Sequence, residues 1–225
     1  MLILKQIYWL FWKDLLLEIR RRESLLSMFF FGALLLFLFQ FSFEILRERT
    51  VAMAPGLLWL SFIFTGTLGL TQLFQVEREN QCMEALLLSP VDRGALFIAK
   101  VLFNVLLMLL VELVVFPLFG ILFNLDFWHL LPSLLGVTLL GTIGFSALGT
   151  LFSAVTLKAR ARELLLPLIL FPLMIPVFLA TIRTMEIILR DSNIQELMPW
   201  LRLLIGFDVI FLTVGFLIFE WVIEG

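Results

Sequence analysis

Six apolar segments, each about the length of a membrane-spanning helix, constrain this sequence more than any other feature. A helix needs about 20 residues to cross the ~30 Å of hydrocarbon in a bilayer. Hydrophobic residues make up 62% of the 225-residue chain, more than a soluble domain can bury. The sequence therefore predicts an all-α integral membrane protein with a single domain, residues 1–225, and six transmembrane helices at about 24–43, 54–75, 97–123, 130–156, 164–183 and 203–221. The first segment is too long for a signal-peptide core, so we expect it to stay in the protein.

Residues 4–23, which precede the first span, predict an amphipathic helix. At 100° per residue, one face carries Leu4, Tyr8, Phe11, Trp12, Leu15 and Ile19, and the other carries Lys5, Gln6, Lys13, Asp14, Arg20 and Arg21. An ordinary soluble amphipathic helix would show the same pattern. Direct continuation into a span favours a helix that lies in the headgroup layer of the membrane.

Lysine and arginine are distributed unequally between alternate connections, which predicts the orientation of the chain. With the N-terminus inside, the inner connections hold eleven: Lys5, Lys13, Arg20, Arg21, Arg22, Arg78, Arg93, Lys100, Lys158, Arg160 and Arg162. The outer connections hold five: Arg47, Arg49, Arg183, Arg190 and Arg202. Both termini and the 76–96 connection are therefore expected to face the cytoplasm.

The connection at 76–96, which we call the coupling segment, is the most polar stretch between two long spans. Its charged residues Glu77, Arg78, Glu79 and Glu84 precede an apolar ridge, Leu86, Leu87 and Leu88, and Pro90 and Arg93 follow. A solvated loop is the plain alternative, but it gives no reason for three consecutive leucines. A short helix with an apolar ridge and charged flanks is suited to a groove on a partner protein.

Two acidic residues are predicted to lie inside spans, Glu112 near the middle of the third and Asp208 within the sixth. Intramembrane carboxylates are costly and face a bundle interior or a cavity. Each could line a substrate path or could fix helix packing through a hydrogen bond. These two interpretations are equally weighted for Glu112, and packing is favoured for Asp208.

The connection at 184–202 predicts short helices that dip into the outer interface, with Pro199 at the turn before the sixth span. His129, in the outer turn between the third and fourth spans, could ligate haem, but an interfacial structural role beside Trp128 is favoured. The stripes of small residues on the second and fourth spans, which include Ser61 and Thr142, favour close helix packing within the chain over a dimer contact, which is the alternative for either stripe.

The chain lacks the sequence signatures of an enzyme. It has no His-Glu-x-x-His zinc motif, no phosphate loop and no nucleophile elbow, and Cys82 is its single cysteine. We expect no catalytic residues, no bound metal, no cofactor and no nucleic-acid partner. If the protein uses ATP, another chain must supply the site.

Several motifs resemble those of one family of membrane proteins, the haem exporter protein B of cytochrome c maturation. They are Trp12-Lys-Asp-Leu, Arg20-Arg-Arg-Glu-Ser24, Ala54-Pro-Gly-Leu-Leu-Trp59, Phe74-Gln-Val-Glu-Arg-Glu-Asn80, Leu86-Leu-Leu-Ser-Pro-Val-Asp-Arg93, Lys100, Glu112, Pro117-Leu-Phe-Gly120, Arg160-Ala-Arg-Glu163, Leu166-Pro-Leu and Phe207-Asp-Val-Ile-Phe211. The resemblance covers nearly the whole chain.

The resemblance implies an exporter fold of the ABC-2 type in the bacterial inner membrane, with two copies of this chain per complex. It also implies a separate ATP-binding-cassette ATPase that docks on the coupling segment. The other implied partners are a tryptophan-rich haem-handling membrane protein, a small single-span protein and a periplasmic haem chaperone. Haem is the implied substrate, which the complex would export or release on the chaperone.

Two other functions remain compatible with the residues. The chain could belong to an exporter of another amphiphile with the same fold. It could also be a membrane scaffold that holds haem-handling proteins together and transports nothing.

Overall fold

The computed structural model describes residues 2–43, 50–79, 82, 86, 88–124, 128–157, 159, 161–190 and 194–224. The helices with defined bounds are α1 (Leu2–Arg21), α2 (Glu23–Phe43), α3 (Thr50–Gln72), α4 (Gln75–Glu79), α5 (Arg93–Phe123), α6 (Leu131–Val155), α7 (Arg162–Leu189) and α8 (Ile194–Glu224), with a 3-10 turn at Trp128–Leu130. In this part of the chain, six helices are long and apolar enough to cross a membrane: α2, α3, α5, α6, α7 and α8. The predicted all-α fold of a multi-pass membrane protein is confirmed.

The junction between α1 and α2 is a sharp turn at one residue. Arg22 has a φ of 56°, in the left-handed region that ends a helix, and α2 begins immediately afterwards. The Glu18 carboxylate accepts a hydrogen bond from the backbone N–H of Leu25 at 2.8 Å. This contact satisfies one of the N–H groups that the first turn of α2 leaves without a helical partner.

The outward face of α1 is aromatic, as the amphipathic pattern predicts. Tyr8, Trp9 and Trp12 are exposed, and the Tyr8 ring stacks on that of Trp12 with 6.3 Å between centroids. Tryptophan and tyrosine favour the boundary between headgroups and acyl chains. The opposite face of α1 packs along α5.

The six spans are buried to very different extents. In their apolar windows, 72% of the residues of α3 and α6 are buried, compared with 17% of those of α2 and α8. The two most buried spans are therefore α3 and α6, and most side chains of α2 and α8 are not buried within the chain.

The small residues of α3 and α6 lie inside the bundle, which confirms their predicted role in helix packing within the chain. Ser61, Thr65 and Thr142 are each at most 1% exposed. At Gly141, a Cβ atom would lie 2.4 Å from the Trp59 ring, so this contact excludes a larger residue. Small residues allow such close approach where lipid gives no hydrophobic drive to helix association.

The connection between the last two spans is shorter than predicted. Residues 184–189 continue α7, and α8 begins at Ile194, so that Pro199 lies inside α8 rather than at a turn. The prediction of a turn at Pro199 was wrong. A proline near a helix start removes one backbone hydrogen bond, and membrane helices tolerate that loss.

Candidate functional site

Polar and charged side chains converge at one end of the bundle, which we call the charged face. It is formed by α1, α4, the last turns of α3 and α8, and the first turns of α5 and α7. The end of α8 is placed there by Phe219, whose ring contacts Phe74 after α3 and Phe97 of α5 at centroid distances of 6.5 and 5.3 Å. The first and the last helix of the chain therefore meet at the same face.

Four charged residues form a compact group at this face, which we call the charge cluster: Lys13, Asp14, Glu77 and Lys100. The Lys100 ammonium lies 2.7 Å from Glu77 Oε1 and 3.1 Å from Asp14 Oδ2. The Lys13 ammonium lies 2.6 Å from the same Glu77 oxygen and 3.0 Å from Asp14 Oδ1. Two cations and two anions from α1, α4 and α5 thus neutralise one another.

The members of the charge cluster are not equally buried. The Lys100 side chain is 1% exposed and those of Asp14 and Glu77 are each 5% exposed, whereas the Lys13 side chain is 40% exposed. Lys100 also donates a hydrogen bond to the Leu73 carbonyl at 2.9 Å and lies over the Phe74 ring. Lys100 is therefore the inner cation of the cluster, and Lys13 is the outer one.

The ionisation of Glu77 follows from these neighbours. Burial by itself raises the pKa of a carboxyl group, but the ammonium groups of Lys100 and Lys13 outweigh it and lower the pKa of Glu77 to about 2. The pKa of Lys13 is raised. Burial by itself would lower it, but the carboxylates of Asp14 and Glu77 outweigh that effect. Glu77 and Lys13 are therefore both charged at neutral pH.

A second set of contacts ties the other end of the coupling segment to α1. Gln6 donates a hydrogen bond to the Pro90 carbonyl and accepts one from the Asp92 backbone N–H, both at 3.3 Å. Asp92 caps α5, because its Oδ1 accepts from the Ala95 N–H at 2.9 Å. With Gln6 and Lys13 about 10 Å apart along α1, this helix holds both ends of the segment.

Between these two anchors, the structure describes part of the predicted partner surface. Leu88 is 87% exposed, and Leu86 packs against the core. The Arg93 guanidinium donates to the carbonyls of Leu86 and Val91 at 3.3 and 3.1 Å. The other predicted residues are Arg78 and Pro90, both exposed, Glu79, whose backbone belongs to α4, and Glu84 and Leu87, which lie outside the described residues.

The two intramembrane acids lie away from the charge cluster and contact α6. Glu112 is 1% exposed, and its Oε1 accepts a hydrogen bond from the Thr142 hydroxyl at 2.6 Å. Asp208 is buried beside Gly144, where a Cβ atom would lie 2.6 Å from its Oδ1. The hydrogen bond from Thr142 supports the packing role for Glu112, whereas neither carboxyl oxygen of Asp208 has a hydrogen-bond partner among the described residues. His129 is exposed in the 3-10 turn at the opposite face.

Three members of the charge cluster were missed as site residues by sequence reasoning. Asp14 lies on the predicted polar face of α1, next to Lys13, but this side chain is buried against Lys100 of α5. Lys100 was counted for orientation and for the family resemblance but not as a site residue, although a lysine inside an apolar helix is itself a signal of a buried partner. The partners could not be named, because Asp14 and Glu77 lie on other helices.

The sequence is similar to proteins of one known family. The family described as CcmB protein matches residues 5–223. Heme exporter protein B of Pseudomonas aeruginosa is 33% identical over 160 residues, which is 71% of each chain. The protein of the same name from Rhodobacter capsulatus is 31% identical over 57% of this chain and 59% of its own length. That from Haemophilus influenzae is 27% identical over 77% of this chain and 78% of its own. With six spans and a family match over nearly its whole length, the chain belongs to the CcmB family.

Proposed function

We propose that this chain is the non-catalytic membrane subunit of an ATP-binding-cassette transporter, and that its coupling segment docks on a separate ATPase chain. The observation that carries the proposal is the anchoring of the segment. Lys13 and Lys100 hold its first helix through Glu77, and Gln6 holds its last residues. Between the anchors, Leu88 projects an apolar side chain that the rest of the described chain leaves uncovered.

The anchoring changes the role proposed for Glu77. Sequence analysis assigned this residue to the ATPase interface, but its side chain is 5% exposed and lies against two lysines of its own chain. We infer that Glu77 fixes the position of the segment, and that Leu88 and Arg78 offer the contact surface. A push on the segment would then reach α5 and α1 through the charge cluster.

Haem is the molecule that we propose the complex handles, because the relatives are named heme exporter protein B. The chain itself would bind no resident cofactor, and ATP would be bound by the partner. The motion would serve the export of haem or its release on a periplasmic haem chaperone. Two copies of the chain, a tryptophan-rich haem-handling membrane protein and a small single-span protein complete the proposed complex.

The proposed location is the inner membrane of a bacterium, with both termini in the cytoplasm. The excess of lysine and arginine in the connections of the charged face supports this orientation. An ATPase that uses cytoplasmic ATP could then reach the coupling segment.

The docking proposal is tested by Leu88→Asp. A charge at the centre of an apolar contact is expected to weaken association with the ATPase by about 10- to 100-fold, measured by co-purification and by ATP hydrolysis of the purified complex. Met198→Asp is the matched control, because Met198 is also an exposed apolar residue but lies at the opposite end of the bundle. Unchanged association of the Leu88 variant would refute docking at this surface.

A further inference from the structure

We propose that Arg162 is a positioning residue that joins the end of α3 to the start of α7, so that movement of the coupling segment also changes the spacing of these two spans. The inference rests on the proposed coupling function and goes beyond it. It identifies a second connection between the coupling segment and the spans, in addition to the charge cluster.

The contacts of Arg162 are concentrated on the last turn of α3. One terminal nitrogen of its guanidinium, Nη2, donates to the carbonyls of Leu70, at 3.4 Å, and of Thr71. The same nitrogen lies 3.5 Å from the Ser153 hydroxyl of α6, which itself donates to the Leu70 carbonyl at 2.8 Å. A helix leaves its last four carbonyls without α-helical donors, and two of those of α3, Leu70 and Thr71, accept hydrogen bonds from side chains of two other spans.

The location of Arg162 is not explained by its own helix. It is the first residue of α7, where the positive end of the helix dipole disfavours a cation. It is nevertheless 5% exposed and points its charge at the negative end of α3. A buried arginine at an unfavourable end of its own helix is explained by its contact with the neighbouring one.

Lys100 holds the same end of α3 from another direction. Its ammonium donates to the Leu73 carbonyl, one residue before Phe74 and two before the start of α4. The carbonyls of Leu70, Thr71 and Leu73 are therefore contacted by cations from α7 and α5. Because α4 follows at once, displacement of α4 must move these carbonyls relative to α5, to α7, or to both.

Arg162 also lies where the spacing of α3 and α7 matters. A groove of about 990 Å³ runs between α2, α3 and α7, and Thr71 and Arg162 are part of its lining. Farther along the groove, Phe64 of α3 meets Phe171 of α7 edge to face, with 5.8 Å between ring centroids. The contact of Arg162 with Thr71 bridges the two walls at the charged face, so it sets the width of the groove there.

The test uses a pair of cysteines in the assembled complex with its ATPase. The pair is Leu68→Cys on α3 and Leu164→Cys on α7, which both line the groove, in a chain that also carries Cys82→Ser. Cross-linking by short bifunctional thiol reagents is measured without nucleotide and with trapped ATP. We expect the yield to change about threefold or more with nucleotide. With Arg162→Ala added, the yield should become independent of nucleotide.

Two further variants separate positioning from folding. Arg162→Lys keeps the positive charge and one donating nitrogen but loses the planar guanidinium, so it should restore part of the nucleotide response. If Arg162→Ala does not assemble, Ser153→Ala, which removes only the bridging hydroxyl, should reduce the response. Arg202→Ala, an exposed arginine of α8, is the control and should leave the response intact.

A full nucleotide response in the Arg162→Ala complex would overturn the inference, as would a parent pair that never responds to nucleotide. Both results are distinct from failure of the proposed function. The proposed function fails if the chain does not bind the ATPase, or if the Leu88→Asp variant binds the ATPase as tightly as the unchanged chain does.

Discussion

Glu77 and Glu112 are both glutamates with almost fully buried side chains, but they are stabilised differently. Glu77, at the charged face, contacts the ammonium groups of Lys13 and Lys100. Glu112, inside α5, accepts one hydrogen bond from the Thr142 hydroxyl, and its Oε2 has no partner among the described residues. The same type of side chain is therefore held by two ion pairs at the charged face and by a single hydrogen bond from a hydroxyl inside the bundle.

The difference shows where this protein can hold charge. A charged group in hydrocarbon is costly, and balanced ion pairs are easier to keep where water is close. The charge cluster lies where α1 and α5 meet the first helix of the coupling segment, so its contacts join elements that a partner could move. The contact between Glu112 and Thr142 joins two spans that form the interior. We therefore expect substitutions at the two glutamates to have different consequences.

The largest effect is expected for Lys100→Met. Removing the inner cation leaves Asp14 and Glu77 buried with only Lys13 to balance them, and breaking a buried ion pair on one side costs about 3–5 kcal/mol. Thermal unfolding in detergent would measure the loss. Lys5→Met, at an exposed position of α1, is the control, and an equal effect of both changes would contradict the assigned roles.

Glu77→Gln is expected to cost about 1.5–3 kcal/mol, since it removes the charge in the contacts with both lysines. The pH dependence identifies the cause. Because the pKa of Glu77 is lowered from 4.5 to about 2, the stabilisation is complete above pH 4.5 and is lost as the pH falls towards 2. The difference in free energy of unfolding between wild type and Glu77→Gln should therefore narrow over that range. A difference that is constant with pH would argue against an ionic origin.

Lys13→Ala should have a smaller effect, about 0.2–1 kcal/mol, because its side chain is 40% exposed and water screens its ion pairs. The same unfolding measurement, repeated at high salt, would check this. We expect added salt to reduce the effect of Lys13→Ala more than that of Lys100→Met. If salt reduces the effect of Lys100→Met more than that of Lys13→Ala, then Lys13 is not the more exposed cation of the cluster.

The smallest effect is expected for Glu112→Gln, below about 0.5 kcal/mol, because an amide oxygen can accept the same hydrogen bond from Thr142. Thr142→Val is the matched comparison and should cost more, since it removes the donor. If Glu112→Gln destabilises the protein as much as Glu77→Gln does, the proposed contrast between the two glutamates is wrong.

Sequence reasoning predicted the six spans, but it did not predict which charged side chains are buried. Glu77 was grouped with Leu88 because they are close in the chain, yet one is buried and the other is exposed. A charged residue can be buried when another helix supplies its counter-charge, as Lys100 does for Asp14 and Glu77.

The amino-acid sequence by itself determined that six helices cross the membrane and that an amphipathic helix precedes them, because segment length and hydropathy are local properties. Only the tertiary structure decided which charges meet. Lys100 contacts Glu77 across 23 residues, and Arg162 contacts the Thr71 carbonyl across 91. Such contacts depend on how the helices pack against one another, and the periodicity of one helix does not determine which other helix packs against it.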